Sequence, residues 1–352
     1  MQDTRDHREG LDTLRAVATL GVIIIHVSTP VVKMAYFSNF TYWWIGNLLD
    51  SAVRFAVPSF LLLSGATLLN KKYSLGEFYK KRFTRVLVPF LFWMVAYWVF
   101  RWISLDTAQQ PKDFQSITKW AVTLFLNEGI SKHFWYVYMI LFIYLFVPFI
   151  GKVLRRLNNR TVLFVILAWI ILTFVLRNMP INFYNWSNNF ASKFFGYALF
   201  SGYLVVGFYL NRLDTTSKKT KWGAGIVCLL TVLIAAGVTS VASRNAHKLD
   251  MNIYGNLTLN TICQSIALFI LLKDSAIKNK YTLWLQRTVS HYSYGIYLSH
   301  IMVIGIFFQN GVFWTMAHPL ISLPVIILLT LCSSLTIVFL LHKLPYGKYI
   351  GG

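Results

Sequence analysis

Ten apolar runs constrain what this chain can fold into. They lie at about 11–30, 48–69, 86–104, 134–151, 161–177, 192–211, 222–241, 257–272, 290–309 and 319–341. Most run to about 18–22 residues, and a helix of that length crosses a bilayer core of roughly 30 Å. The pattern predicts an all-α polytopic membrane protein, a bundle of about ten transmembrane helices. Charged residues make up only 13% of the chain, against about 25% in a soluble domain. The first run follows a polar N-terminus and no small-residue cleavage site comes after it, so it reads as a retained helix and not a signal peptide. A single domain over 1–352 is expected, with any chemistry done by the membrane part.

The net charge of +21 does not point to nucleic acid, because the basic residues sit mostly in short connections. When the connections are assigned alternately to two sides, one side holds 22 of the 33 Lys and Arg residues, Arg15 aside. By the positive-inside rule that side is cytoplasmic, and both termini lie on it. Cys228, Cys263 and Cys332 stand singly in apolar segments and match no metal or redox spacing. The histidines and carboxylates show no ligand spacing either, so no metal site is expected.

Two of the runs carry ionisable residues. In "LDTLRAVATLGVIIIHVSTP", eleven helical steps from Arg15 to His26 make three turns plus about 20°. The two residues share a face about 16 Å apart along the axis. Asp12, Thr19 and Val22 fall on the same stripe. A charged stripe facing lipid would cost several kcal/mol per charge, so this one should face the protein interior. A neutral imidazole at that depth is a natural proton acceptor. A second stripe runs through "TVSHYSYGIYLSHIMVI", where Ser293, Tyr297 and His300 occupy i, i+4 and i+7. His300 falls at a depth similar to or slightly beyond that of His26. Further along the chain order, in "EFYKKRFTRVLVPF", Arg82 and Arg85 stand at i, i+3 at the basic entrance of the third span. Both can reach one anionic ligand, and arginine forks suit phosphate; plain topology charge explains them equally well, and explains Lys80 and Lys81 better.

On the opposite side, "FSNFTYWWIGN" and "NMPINFYNWSNNF" mix aromatic, amide and hydroxyl groups. They suit either the headgroup belt or a sugar. The stretch at about 105–133 carries Phe114, Ile117, Trp120, Ala121, Leu124 and Phe125 on one helical face, a pattern for a helix lying in the interface plane.

Taken in order, five stretches resemble the acyltransferase-3 family of integral membrane acyltransferases. They are "LDTLRAVATLGVIIIH" with Arg15 and His26, "VPSFLLLSGATLL" with Ser64 and Gly65, "KKRFTRVLVPFLFW" with Arg82 and Arg85, "HFWYVYMILFIYLFVPFI", and "SYGIYLSH". The likeness covers nearly the whole chain. Ala66 departs from it, standing where an aromatic is usual. The resemblance implies transfer of an acyl group, commonly acetyl, from cytoplasmic acyl-coenzyme A to a hydroxyl of an extracytoplasmic glycan or lipid-linked sugar. It also implies the short form of the family, without an appended soluble domain, in a bacterial plasma membrane. The expected partners are acyl-coenzyme A as donor substrate, the glycan acceptor and membrane lipids, with no nucleic acid and no permanently bound cofactor.

Combining the two readings gives an expected site. Coenzyme A docks with its phosphates near Arg82 and Arg85, and Arg15 holds the pantetheine end or orders the helix. The thioester reaches up a channel lined by the first helix. His26 acts as general base or accepts the acyl group itself, while His300 and Tyr297 orient or polarise the carbonyl. His133, Trp135 and Tyr136 open the fourth span and could hold the sugar; His133 also fits as an ordinary interface residue. A polysaccharide exporter or other transporter is the rival reading, favoured modestly by Pro58 and Gly65, although the internal repeats of such folds are not visible. A scaffold or sensor would leave both polar stripes unexplained.

Overall fold

A computed structural model describes residues 2–104, 113–126, 130–178 and 190–352. Among these residues the chain is helical, with no strand. The helices are α1 (Gln2–Met34), α2 (Phe40–Ala52), α3 (Ala56–Leu68), α4 (Leu75–Ser104), α5 (Phe114–Leu126), α6 (Trp135–Leu154), α7 (Asn159–Asn178), α8 (Phe190–Leu199), α9 (Ser201–Arg212), α10 (Lys218–Asn245), α11 (Leu259–Leu272), α12 (Lys280–His291), α13 (Ser293–Gln309), α14 (Pro319–Lys343) and the short α15 (Gly347–Ile350). Among the described residues nine segments are long and apolar enough to cross a membrane, and α13 is a shorter apolar helix within the bundle. Each of the ten expected runs thus contains a helix.

The second span differs from its expected form. It starts earlier, at Phe40, and breaks at Val53–Phe55 into α2 and α3. The Asn39 side chain caps α2 by accepting from the Tyr42 amide at 3.0 Å, as N-cap residues do. Residues 40–47, expected in an outer connection, are therefore helical. Trp43 is fully buried, and Asn47 donates to the Ala236 carbonyl of α10 at 3.0 Å. An amphipathic helix wedged against α1 and α10 takes these side chains inward, so Trp43 and Asn47 are packing residues and not a sugar-facing loop. The segment 179–189, which holds most of the other aromatic outer stretch, lies outside the described residues, as do 105–112 and 127–129. The expected helix near 114–125 is present as α5, and its Trp120 ring meets Trp98 and Trp102 of α4, at 5.8 Å in each case.

Large apolar side chains cover the outer faces. Phe164, Ile171, Leu229 and Leu328 are all exposed on α7, α10 and α14, as lipid-facing helices require. Inside, small residues let backbones approach. A Cβ on Gly65 of α3 would stand 2.0 Å from the Leu204 carbonyl oxygen of α9, and one on Gly207 of α9 would stand 2.0 Å from that of Leu62. This reciprocal fit is the small-residue packing of membrane helices. Both ends of the chain reach the same face of the bundle, where Arg8 and Gly352 border one cavity.

Candidate active site

At that basic face a cavity of about 660 Å³ opens between α1, α3, α4, α6, α12 and α13. Six cationic side chains border it: Arg8, Arg15, Lys71, Arg82, Arg85 and Arg287. Asp12 is the one acidic side chain among its lining residues. The Asp12 carboxylate takes a hydrogen bond from Arg15, and the Ser290 hydroxyl of α12 donates to it at 3.1 Å. Arg15 also donates to Ser290 at 3.0 Å. Arg287 pairs with Glu9 at 2.8 Å. The polar foot of α1 is thereby tied to α12, and Arg15 is fixed in the cavity wall. Arg82 and Arg85 face the same cavity from α4, so the three arginines singled out in the sequence converge.

Part of the cavity wall is tyrosine. Tyr136, Tyr144, Tyr294 and Tyr297 border it. Tyr294 and Tyr297 are stacked with centroids 6.4 Å apart, and Tyr136 meets Tyr297 at 5.6 Å. Tyr294 donates to the Val86 carbonyl at 2.8 Å, and Tyr297 donates to the His133 carbonyl. A layer of tyrosines thus stands between this cavity and the ring of His300.

Three histidines lie behind it. His26 and His300 have ring centroids 5.2 Å apart, and His133 and His300 are also at 5.2 Å. Tyr297 is 5.3 Å from His133 and 5.8 Å from His300. The stripes of α1 and α13 thus face each other. His300 is fully buried, and its Nδ1 lies 2.6 Å from the Tyr297 carbonyl. A carbonyl only accepts, so the proton sits on Nδ1 and the lone pair of the neutral ring is on Nε2. That Nε2 is buried without a partner. The His133 Nδ1 pairs with the Ser131 hydroxyl at 2.7 Å, and its Nε2 is likewise buried and unpartnered. His26 is half-buried.

His133, Trp135 and Tyr136, grouped together in the sequence, separate in space. The turn Lys132–Phe134 carries His133 into the histidine cluster, where it is 3% exposed. Tyr136 borders the basic cavity. Trp135 packs on Phe200, 5.6 Å away, and does not border that cavity.

Sequence reasoning passed over a polar group on the other side of His26. Asp50 and Arg54, at i, i+4 on the break of the second span, form an ion pair. Asp50 is completely buried and the Arg54 side chain is 12% exposed. The Arg54 guanidinium lies 4.0 Å above the Tyr254 ring, and the Thr29 hydroxyl reaches Asp50 at 3.5 Å. Thr29 is three residues beyond His26, on the same face of α1. The signal was present in "DSAVR", two opposite charges inside an apolar run, which is functional by default. Tyr97 was also missed. Its hydroxyl accepts from the Met302 amide of α13 at 2.8 Å, and its ring is 5.4 Å from His133.

Fold and site together define an integral membrane protein of α-helices, with a cation-lined cavity leading toward a buried histidine cluster. A family model described as an acyltransferase domain, that of the acyltransferase-3 family, matches residues 8–343. The chain belongs to that family and is a membrane acyltransferase. No curated protein and no solved structure matches it.

Proposed function

We propose that the protein is an O-acyltransferase that takes an acyl group, acetyl by preference, from acyl-coenzyme A at its basic face. It passes the group to a hydroxyl of a glycan or lipid-linked sugar on the opposite side of a plasma membrane. The observation that carries this reading is the cavity itself, whose lining has six cationic side chains and one acidic one, with Arg15 on Asp12 and Arg287 on Glu9 and the other four cations in excess. Such a site calls for an anionic ligand, and coenzyme A brings phosphates to one end and a thioester to the other. The positive-inside rule places this face in the cytoplasm, where acyl-coenzyme A is found.

His26 is the general base. Its neutral imidazole nitrogen takes the proton of the acceptor hydroxyl as the oxygen attacks the thioester carbon. The C–S bond then breaks, and the imidazolium returns the proton to the departing coenzyme A thiolate. His300 is a positioning residue: its Nε2 lone pair can accept the N–H of a neutral His26 and so set which His26 nitrogen is free to act as base. Arg82 and Arg85 hold phosphate, and Arg15 holds the pantetheine end. The tyrosine layer keeps water from the reacting centre until the thioester displaces it. The acceptor comes from the side of Asp50, Arg54 and His133.

The test compares base-labile acyl groups on the surface glycans of cells making wild type or His26→Ala, at matched membrane levels. Acylation that appears with wild type and vanishes with the variant supports the reading; equal acylation by both sinks the role of His26. An exporter would translocate glycan without binding coenzyme A, so direct binding of acetyl-coenzyme A to purified protein separates the two.

A further inference from the structure

A second cavity, of about 980 Å³, adjoins the first at the basic face. The two share Arg82, Arg85, His291 and Gly352, so the two arginines of α4 stand in the partition between them. α4 has 30 residues, about 45 Å of helix against a bilayer core of roughly 30 Å. Its first turns therefore project beyond the core and form one wall, and α15 with the end of α14 forms the other. Lys72, Lys80, Lys81 and Lys348 border this cavity together with His291 and His342. Glu77 is the one acidic side chain in its lining, and the Ser74 hydroxyl donates to it at 3.2 Å. The Arg82 Nε and the Tyr73 hydroxyl are buried without partners. Tyr349 contributes a ring that is 47% exposed.

This lining has two parts, a set of cations without matching acids and a group of aromatic rings. Phosphates suit the first, and a flat heteroaromatic base suits the second by stacking. Each cavity falls in the size range of small-molecule sites, roughly 300–1,000 Å³. The first cavity borders the tyrosines that touch the histidines, and the second adds four lysines and the exposed Tyr349 ring beyond the two shared arginines.

We propose that the second cavity seats the nucleotide half of the acyl donor, the ribose 3′-phosphate held by Lys80, Lys81 and Lys348 and the adenine laid against Tyr349. This rests on the donor assignment above and deepens it. The diphosphate bridges the partition at Arg82 and Arg85, and the acyl-pantetheine arm enters the first cavity past Arg15. Specificity for the 3′-phosphorylated nucleotide is thereby separated from the chemistry, in a chamber that the acceptor never enters.

The experiment measures binding of coenzyme A, 3′-dephospho-coenzyme A and adenosine 3′,5′-bisphosphate to the full-length protein in lipid nanodiscs at low salt. A neutral phosphatidylcholine bilayer and one containing phosphatidylglycerol are compared. The three lysines are exposed, so the Lys80→Ala/Lys81→Ala/Lys348→Ala variant is expected to fold; a thermal unfolding scan checks this. Wild type should bind coenzyme A at least about tenfold more tightly than the dephospho form, the value of one charge-assisted phosphate contact. The triple variant should lose that preference and keep its affinity for dephospho-coenzyme A. Adenosine 3′,5′-bisphosphate should compete with coenzyme A for wild type only. If coenzyme A binds without regard to the 3′-phosphate, the donor assignment stands and the nucleotide seat is wrong. If neither form binds, both fall. If phosphatidylglycerol displaces coenzyme A from wild type but not from the triple variant, the second cavity is a lipid headgroup site and the proposal is overturned.

Discussion

The imidazoles of His26 on α1 and His300 on α13 lie 5.2 Å apart, tilted by 49°. Neither helix shows this pairing by itself. The His300 Nδ1 is committed to the Tyr297 carbonyl, which leaves a buried lone pair on Nε2 beside two other histidines. A ring held in this tautomer can orient its neighbour without touching substrate. His300→Phe preserves the ring and removes the lone pair. We expect kcat to fall about 10- to 100-fold with little change in the KM for the acyl donor. His26→Ala should cost more, about 10²–10⁴ in kcat, the range for loss of a general base. Steady-state rates with varied donor would show the split; a rise in donor KM with kcat unchanged would place His300 in donor binding.

The hydroxyl of Tyr297 ties the tyrosine layer to the turn that carries His133. Tyr297→Phe leaves the aromatic packing and removes one of the two hydrogen bonds to the His133 carbonyl, which keeps the Trp135 N–H, at a cost of about 0.5–1.5 kcal/mol. The expected result is a lower unfolding temperature in detergent and weaker exclusion of water, seen as faster hydrolysis of acetyl-coenzyme A without acceptor. A variant with unchanged stability and hydrolysis would show that the hydroxyl does neither job.

Asp50 and Arg54 should behave as a unit. Removing one partner leaves a buried charge uncompensated, which costs about 3–5 kcal/mol. Asp50→Leu or Arg54→Met alone should therefore lower thermal stability sharply, and the double variant should recover a large part of the loss. If the pair also receives the acceptor, the recovered double variant will fold but will not acylate. A double-mutant cycle on stability and a parallel acylation assay separate the two roles; additive stability losses would mean that the ion pair does not hold α2 in place.

Gly65 allows α3 and α9 to meet. A Cβ at 2.0 Å from the Leu204 carbonyl oxygen cannot be accommodated without moving a helix. Gly65→Ala should lower the yield of folded protein and its unfolding temperature. Gly223→Ala on α10 is the control, because nothing lies within 4 Å of its Cβ position; there the helix should be as stable or slightly more so. Equal effects at both positions would mean that glycine content, and not close approach, matters.

The sequence by itself determined the membrane class, the ten helical runs and the polar stripes, because each depends on local rules: span length, charge bias and helical periodicity. Arg15 and His26 on one face follow from the 100° turn alone, and Arg82 with Arg85 from their three-residue spacing. Residues 40–47 were misplaced because Trp, Tyr and Asn fit an interfacial loop as well as a packed helix, and only the contact with α10 decides between them. The i, i+4 spacing of Asp50 and Arg54 was legible; that the pair is buried beside Thr29 and Tyr254 depends on how α1 and α2 pack. Only the tertiary structure set α1 beside α13 and brought His133 from the end of a connection to the ring of His300. It also put tyrosines in the wall of the basic cavity. Side-chain chemistry and period are written along one helix; which faces meet, and at what depth, is fixed only when the helices pack.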